Sequence, residues 1–229
     1  MFPAGEIRLF SPEAVEKGGA ILYNPFDNIW EDKGMKIITL SREYGAGGHS
    51  IGQRVAAELG IEFYDKDIIR DSAEALGIDP AQLAAEEEEI SRTEAFFRTI
   101  TPISYDRKDA LYDAESSVIL KLAAKGPCLI LGRCADAVLR AAGIPSLDVF
   151  LFADESHRAR RVGELIHSSN PSEIQRAMHK TDQSRHSYYA HYTGKPWGDH
   201  RNFHLSLDSG ILGYDACVRI ICEAARSAE

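Results

Sequence analysis

A short β-branched run, Lys36–Leu40, enters the glycine-rich stretch Ser41-Arg-Glu-Tyr-Gly-Ala-Gly-Gly-His-Ser50, and a helical pattern from about Ser50 to Leu59 follows at once. Nothing else in the 229-residue chain restricts the fold so strongly. Ile51, Val55, Ala56 and Leu59 recur at helical spacing and mark one apolar face, and Gly60 stops the helix. A strand that turns through glycines directly into a helix aims the N–H groups of the turn and first helical turn at one point. That geometry suits a phosphate. Gly45, Ala46, Gly47, Gly48, His49 and Ser50 are therefore candidate phosphate contacts. The same glycines would also serve a tight turn with no ligand, and the residues alone leave both readings open.

The rest of the chain repeats the alternation. Ile61–Tyr64 reads as a second strand and Asp65–Leu76 as a helix. Leu111, Ala114, Val118 and Leu122 mark another helix, which ends at Lys125-Gly126-Pro127. Cys128–Leu131 is a continuous apolar strand of the kind found in the middle of a parallel sheet, and Val149–Phe152 is the next. A helix over Asp154–His167 has an acidic first turn, and Asn170-Pro171 opens another. Phe203–Leu207 is a last strand, and Tyr214, Cys217, Val218, Ile221 and Ala225 share the inner face of a terminal helix. The acidic run Glu86–Glu89 and the segment Ser91–Glu94 read as a solvated helical face. This order predicts a three-layer α/β domain with a central parallel sheet. Residues 1–34, closely punctuated by Pro and Gly, read as an N-terminal extension that packs on the domain or on a second subunit; the domain itself spans 35–229.

Hydrophobic residues at 44% and charged residues at 27% fit a soluble globular domain. No apolar run approaches the roughly 18 residues of a membrane span, and the N-terminus lacks the basic-then-apolar order of a secretory leader. The expected location is the cytoplasm. A net charge of −9 argues against a nucleic-acid partner. Cys128, Cys134, Cys217 and Cys222 form no C-x-x-C pair, so buried reduced thiols are expected rather than a metal or redox centre.

Ile37–Gly52, Phe63-Tyr-Asp-Lys-Asp67, Leu131-Gly-Arg-Cys-Ala-Asp136, Lys180-Thr-Asp182, Tyr188-Tyr189 and Tyr192-Thr-Gly-Lys-Pro-Trp-Gly198 together resemble the cytidylate kinase-like family, over residues 36 to about 222. The resemblance implies a P-loop domain with a helical lid. It implies phosphoryl transfer from ATP with Mg²⁺ to a small nucleotide such as CMP or dCMP; apart from the resemblance, no membrane partner is expected, and a homodimer is one possible assembly. A nucleotide-binding regulator with little turnover, or a kinase of another small acceptor, are the alternative readings. Asp65, Arg70, Arg133 and Asp182 match positions beside the acceptor, although Asp65 equally suits a helix N-cap. Arg158, Arg161 and Arg185 match lid arginines that would converge on the transferring group. Ser50 stands at the hydroxyl position that faces Mg²⁺. The departure is Gly48, which stands where these loops carry lysine; Arg42, at the start of the turn, is the nearest cation able to replace it.

Overall fold

The computed structural model describes residues 37–65, 67 and 103–227, with side chains in the helix over 103–125 described from residue 112. The described strands are β1 (Ile37–Arg42), β2 (Glu62–Tyr64), β3 (Cys128–Leu131), β4 (Leu147–Phe152) and β5 (Leu205–Asp208). The described helices are α1 (Gly48–Leu59), α2 (Ile103–Lys125), α3 (Ala135–Ala141), α4 (Glu155–Leu165), α5 (Pro171–Thr193), α6 (Ser209–Leu212) and α7 (Tyr214–Ser227). The strands form one sheet in the order β2-β3-β1-β4-β5, and every pairing is parallel. Among the described residues no helix is long and apolar enough to cross a membrane.

Side-chain alternation along the strands divides the sheet into two faces. On one face Ile38, Leu40, Leu129, Leu131, Val149 and Leu151 meet Ile51 and Val55 of α1 and Cys217, Val218 and Ile221 of α7. Each fully buried Val, Leu or Ile of this set is worth roughly 1.5–3 kcal/mol. The opposite face is partly polar. Asp148 of β4 accepts hydrogen bonds from Thr39 Oγ1 at 2.8 Å, Ser146 Oγ at 2.7 Å and Arg140 at 2.9 Å. Toward the carboxyl ends of the strands this face becomes aromatic: Phe150 packs on Phe203 and Trp197, with ring centroids 5.0 and 5.4 Å apart.

Local chemistry sets the element ends. Gly60, at φ 66°, closes α1 by donating to Ala56 and Ala57. Asp154 caps α4 by accepting from the His157 N–H at 2.9 Å. Asn170 caps α5 by accepting from Ser172 at 3.0 Å, with Pro171 at the first helical position. The elements differ in places from the sequence expectation. β1 continues through Arg42, and α1 starts two residues early, at Gly48. Phe203 ends a short 3₁₀ turn instead of opening β5, because its ring joins the aromatic cluster. Helix α3 was not anticipated, being seven residues long and directly following β3. The expected helix over Asp65–Leu76, beyond its first residues, and the acidic face at 86–94 lie outside the described residues, as does the extension at 1–34.

Candidate active site

The turn between β1 and α1 is held from three sides. A Cβ on Gly45 would lie 2.7 Å from the Arg158 carbonyl oxygen, and one on Gly47 would enter the Tyr214 ring at 2.2 Å. Both glycines also hold positive φ, at 88° and 77°. A Cβ on Gly48 would lie 2.6 Å from Cγ of Arg42. The glycines thus admit the protein's own side chains, a reason distinct from ligand approach. The concave side of the turn stays open: the N–H groups of Gly45, Gly47, Gly48, His49 and Ser50 donate to no acceptor among the described residues. Five free donors at the start of a 12-residue helix form a receptor for an anion.

Arg42 crosses this turn. Its stem lies over Gly48, and its guanidinium reaches the start of the next loop, where a Cβ on Gly132 would meet Nη1 at 2.4 Å. The guanidinium makes no hydrogen bond or ion pair among the described residues. Burial first, then the charges of Arg185 and Arg133, push its pKa well below the ordinary guanidinium value. An arginine stays cationic even so. The carboxylates of Asp65 and Asp182 act in the opposite sense and favour the charged form.

Beyond the carboxyl ends of β1 and β3 lies a cavity of about 370 Å³, lined among others by Arg42, Arg133, Asp136, Lys180, Arg185 and Trp197. Ligands of open α/β sheets gather at this edge. Arg133 sits in a left-handed stretch, Gly132–Cys134, with φ values of 84°, 57° and 53°. Its Nη1 lies 3.3 Å from Glu115 of α2. Asp136 is buried and accepts from the Tyr189 hydroxyl at 2.8 Å. Burial raises the Asp136 pKa, and the Tyr189 hydrogen bond opposes that rise. Trp197 Nε1 donates to Ser41 Oγ at 3.2 Å, tying the segment after α5 to the end of β1.

Helices α4 and α5 pack together and close on the turn. Asp182 of α5 accepts from the Tyr44 N–H at 2.7 Å and from Arg158 Nη1. Arg158 Nε also lies 3.4 Å from Glu43. Arg185 donates to the Arg42 carbonyl at 2.9 Å and stands over the Tyr44 ring, 5.7 Å from its centroid.

Residues 37–211 match the family model of the cytidylate kinase-like family. The chain belongs to the cytidylate kinase-like family. Among solved structures it is similar to an uncharacterized protein from Eubacterium ventriosum, at 22% identity and TM-score 0.63, covering 83% of this chain and 98% of that one. It is also similar to a gluconokinase from Sinorhizobium meliloti, at 17% identity and TM-score 0.51, covering 85% and 95%. At these identities the two structures show a shared fold. No curated protein sequence matches the chain.

The residues that carry the family resemblance fall into two groups in space. Arg42, Arg133 and Arg185 line one cavity, and Asp182 and Arg158 brace its edge against the glycine turn. Arg161, expected beside Arg158, pairs with Glu164 at 2.8 Å and does not line the cavity; its charge lies close enough to Tyr214 to act on that hydroxyl. At i, i+3 spacing the two share a helix face, and it is their ion-pair partners that differ. His49 is exposed and faces Asp65, at 3.5 Å, and the edge of Phe63. Asp65 accepts from the Asp67 N–H at 3.0 Å, which is cap geometry. Ser50 lies in the first turn of α1, partly exposed. Arg70 lies outside the described residues. All four cysteines are free and buried. Tyr214, which covers Gly47, and Glu115, which meets Arg133, were missed. Glu115 left a signal: it falls four residues after Leu111 and three before Val118, a charge within an apolar stripe.

Proposed function

We propose that this chain is an ATP-dependent kinase that transfers a phosphoryl group to a nucleoside monophosphate, with a CMP-like or dCMP-like acceptor. The observation that carries the reading is the exchange of roles between positions 42 and 48. Gly48 leaves room for the Arg42 stem, and the unpartnered Arg42 guanidinium stands between the open N–H groups of the turn and the arginine-lined cavity. A cation thereby stands close to where other P-loop enzymes carry the loop lysine. ATP with Mg²⁺ supplies the transferring group and neutralises part of the charge that develops during in-line transfer.

The chain's own residues have distinct tasks in this reading. The free N–H groups of Gly45, Gly47, Gly48, His49 and Ser50 hold the donor phosphates, while that of Ala46 is taken by the Glu43 carbonyl, and the Ser50 hydroxyl faces the Mg²⁺ that comes with them. Arg42 spans donor and acceptor phosphates. Arg133 grips the acceptor phosphate with its planar fork, and Arg185 adds charge from the lid helix. Asp182 fixes Arg158 and Tyr44, which sets the distance between lid and turn. The cytoplasm, which holds ATP and nucleoside monophosphates together, is the proposed location.

The test is a coupled ADP-release assay with ATP·Mg²⁺ and a panel of CMP, dCMP, UMP and AMP. Turnover with a pyrimidine monophosphate supports the reading. A second reading, a nucleotide-binding regulator with little turnover, is favoured by the ion pairs of Arg158 with Glu43 and Asp182, which occupy a lid cation. Tight ATP·Mg²⁺ binding with no ADP release for any acceptor would select it.

A further inference from the structure

Glu115 is 1% exposed, the most buried charged side chain among the described residues. It lies in the middle of α2, one layer behind the cavity, and does not line it. An apolar residue of similar size would fill that place without the cost of burying a carboxylate. What it touches explains why an acid stands there. One oxygen lies 3.3 Å from Nη1 of Arg133, and the other accepts a hydrogen bond from the Tyr188 hydroxyl at 2.5 Å. The Arg133 guanidinium in turn lies 5.9 Å from the Tyr188 ring centroid. Arg133 and Tyr188 both line the cavity. Burial and the neighbouring carboxylate keep the phenol proton in place, so Tyr188 stays a donor to Glu115.

The backbone beneath Arg133 shows how firmly this side chain is placed. Arg133 and Cys134, neither of them glycine, hold left-handed φ values of 57° and 53°. Such conformations persist only where the surroundings over-determine them, and they gather at binding sites. Holding one nitrogen of a planar guanidinium fork narrows the directions in which its other N–H groups can point. We infer that Glu115 is a positioning residue, which aims Arg133 and Tyr188 at the acceptor's phosphate and so sets acceptor affinity without touching the acceptor. The inference rests on the proposed kinase reading and adds to it a determinant outside the cavity wall.

The experiment is calorimetric titration of CMP and, separately, of ATP·Mg²⁺ into the full chain and into Glu115→Gln, Glu115→Asp, Arg133→Ala and the Glu115→Gln/Arg133→Ala double variant. Thermal melts run beside it. Glu115→Gln keeps shape and removes charge. It is expected to weaken CMP about 10- to 100-fold, the loss of a charge-assisted contact, and to leave ATP·Mg²⁺ within about twofold. Where Arg133 is already alanine, the same substitution is expected to change CMP affinity less than about threefold. Glu115→Asp keeps the buried charge compensated but withdraws it by one methylene, so a several-fold loss confined to CMP is expected, and this variant decides the matter if Glu115→Gln does not fold. Parental CMP affinity in the folded variants overturns the inference. So does equal weakening of both ligands, which general loosening would produce. No CMP heat from the unaltered chain overturns the kinase reading itself, and the inference with it.

Discussion

Substituting Gly48 by alanine tests the relation between the glycine turn and Arg42 with one methyl group. The new Cβ would lie 2.6 Å from Cγ, 3.0 Å from Cβ and 3.2 Å from Cδ of Arg42, where carbon atoms in contact sit about 3.5–4.0 Å apart. The Arg42 Cβ is fixed by the strand, so the stem must swing away or the turn must open. Gly48 does not hold a positive φ, and the backbone accepts alanine without strain. As a helical residue, alanine even favours α1 by up to about 1 kcal/mol. The overlap costs about 1–3 kcal/mol, more than that gain, so a modest fall in melting temperature is expected along with the fall in nucleotide binding. A charge-assisted hydrogen bond is worth about 1.5–3 kcal/mol, which corresponds to roughly 10- to 150-fold in ATP·Mg²⁺ affinity. The assay is calorimetry on the parent, Gly48→Ala, Arg42→Ala and the double variant. Both substitutions remove the same contact, so the double variant is expected to bind no more weakly than Arg42→Ala, with a coupling energy on the order of 0.5–3 kcal/mol. Simple additivity, or parental affinity in Gly48→Ala, refutes the reasoning.

Further outcomes follow from the buried polar groups. Asp148→Ala leaves the buried hydroxyls of Thr39 and Ser146 without their acceptor, while the half-exposed Arg140 can turn to water. A loss of roughly 3 kcal/mol is expected, or about 6–12 °C in melting temperature by scanning calorimetry; a shift below about 2 °C contradicts the assignment. The buried Asp136 carboxyl has a raised folded pKa, chiefly through burial, so its effect on stability is unfavourable. That effect is absent below the ordinary carboxylate range, grows as pH rises toward the folded value, and is complete above it. Asp136→Asn is accordingly expected to raise the melting temperature at neutral pH and to lose that gain toward acid pH, read from melts between about pH 4 and 8. Burial pushes the Cys128 thiol up to about 12 and the Cys222 thiol up to about 11, and raises Cys134 and Cys217 as well. A thiol reagent at pH 8 should find almost no reactive cysteine in the native protein and all four after denaturation.

The layered frame was legible because it rests on local periodicity. Cys128–Leu131 is apolar throughout, and the structure puts it between two parallel neighbours. The spacing of Cys217, Val218 and Ile221 foretold the buried side of α7. The tight turn between strand and helix was legible from its glycines, although their close packing against Arg158, Tyr214 and Arg42 was not. Those partners come from positions far apart in the chain, and no local pattern names them. Arg158 and Arg161 show the limit most plainly. Both stood out as lid cations, but only the packing of α4 on α5 and the turn makes one a partner of Asp182 and the other a partner of Glu164. Asp136 and Glu115 were passed over because acids inside helical segments read as solvated unless their position within the apolar stripe is counted.

The central claim is that Arg42 does the work of the missing loop lysine in moving a phosphoryl group. Labelled γ-phosphate followed from ATP into CDP, for the unaltered chain and for Arg42→Ala under the same conditions, tests it most directly. The account predicts label in CDP from the unaltered chain and a rate at least about 100-fold lower without Arg42, in keeping with the 10³–10⁵ that a transition-state arginine can contribute. An Arg42→Ala protein that labels CDP as fast as its parent would contradict it.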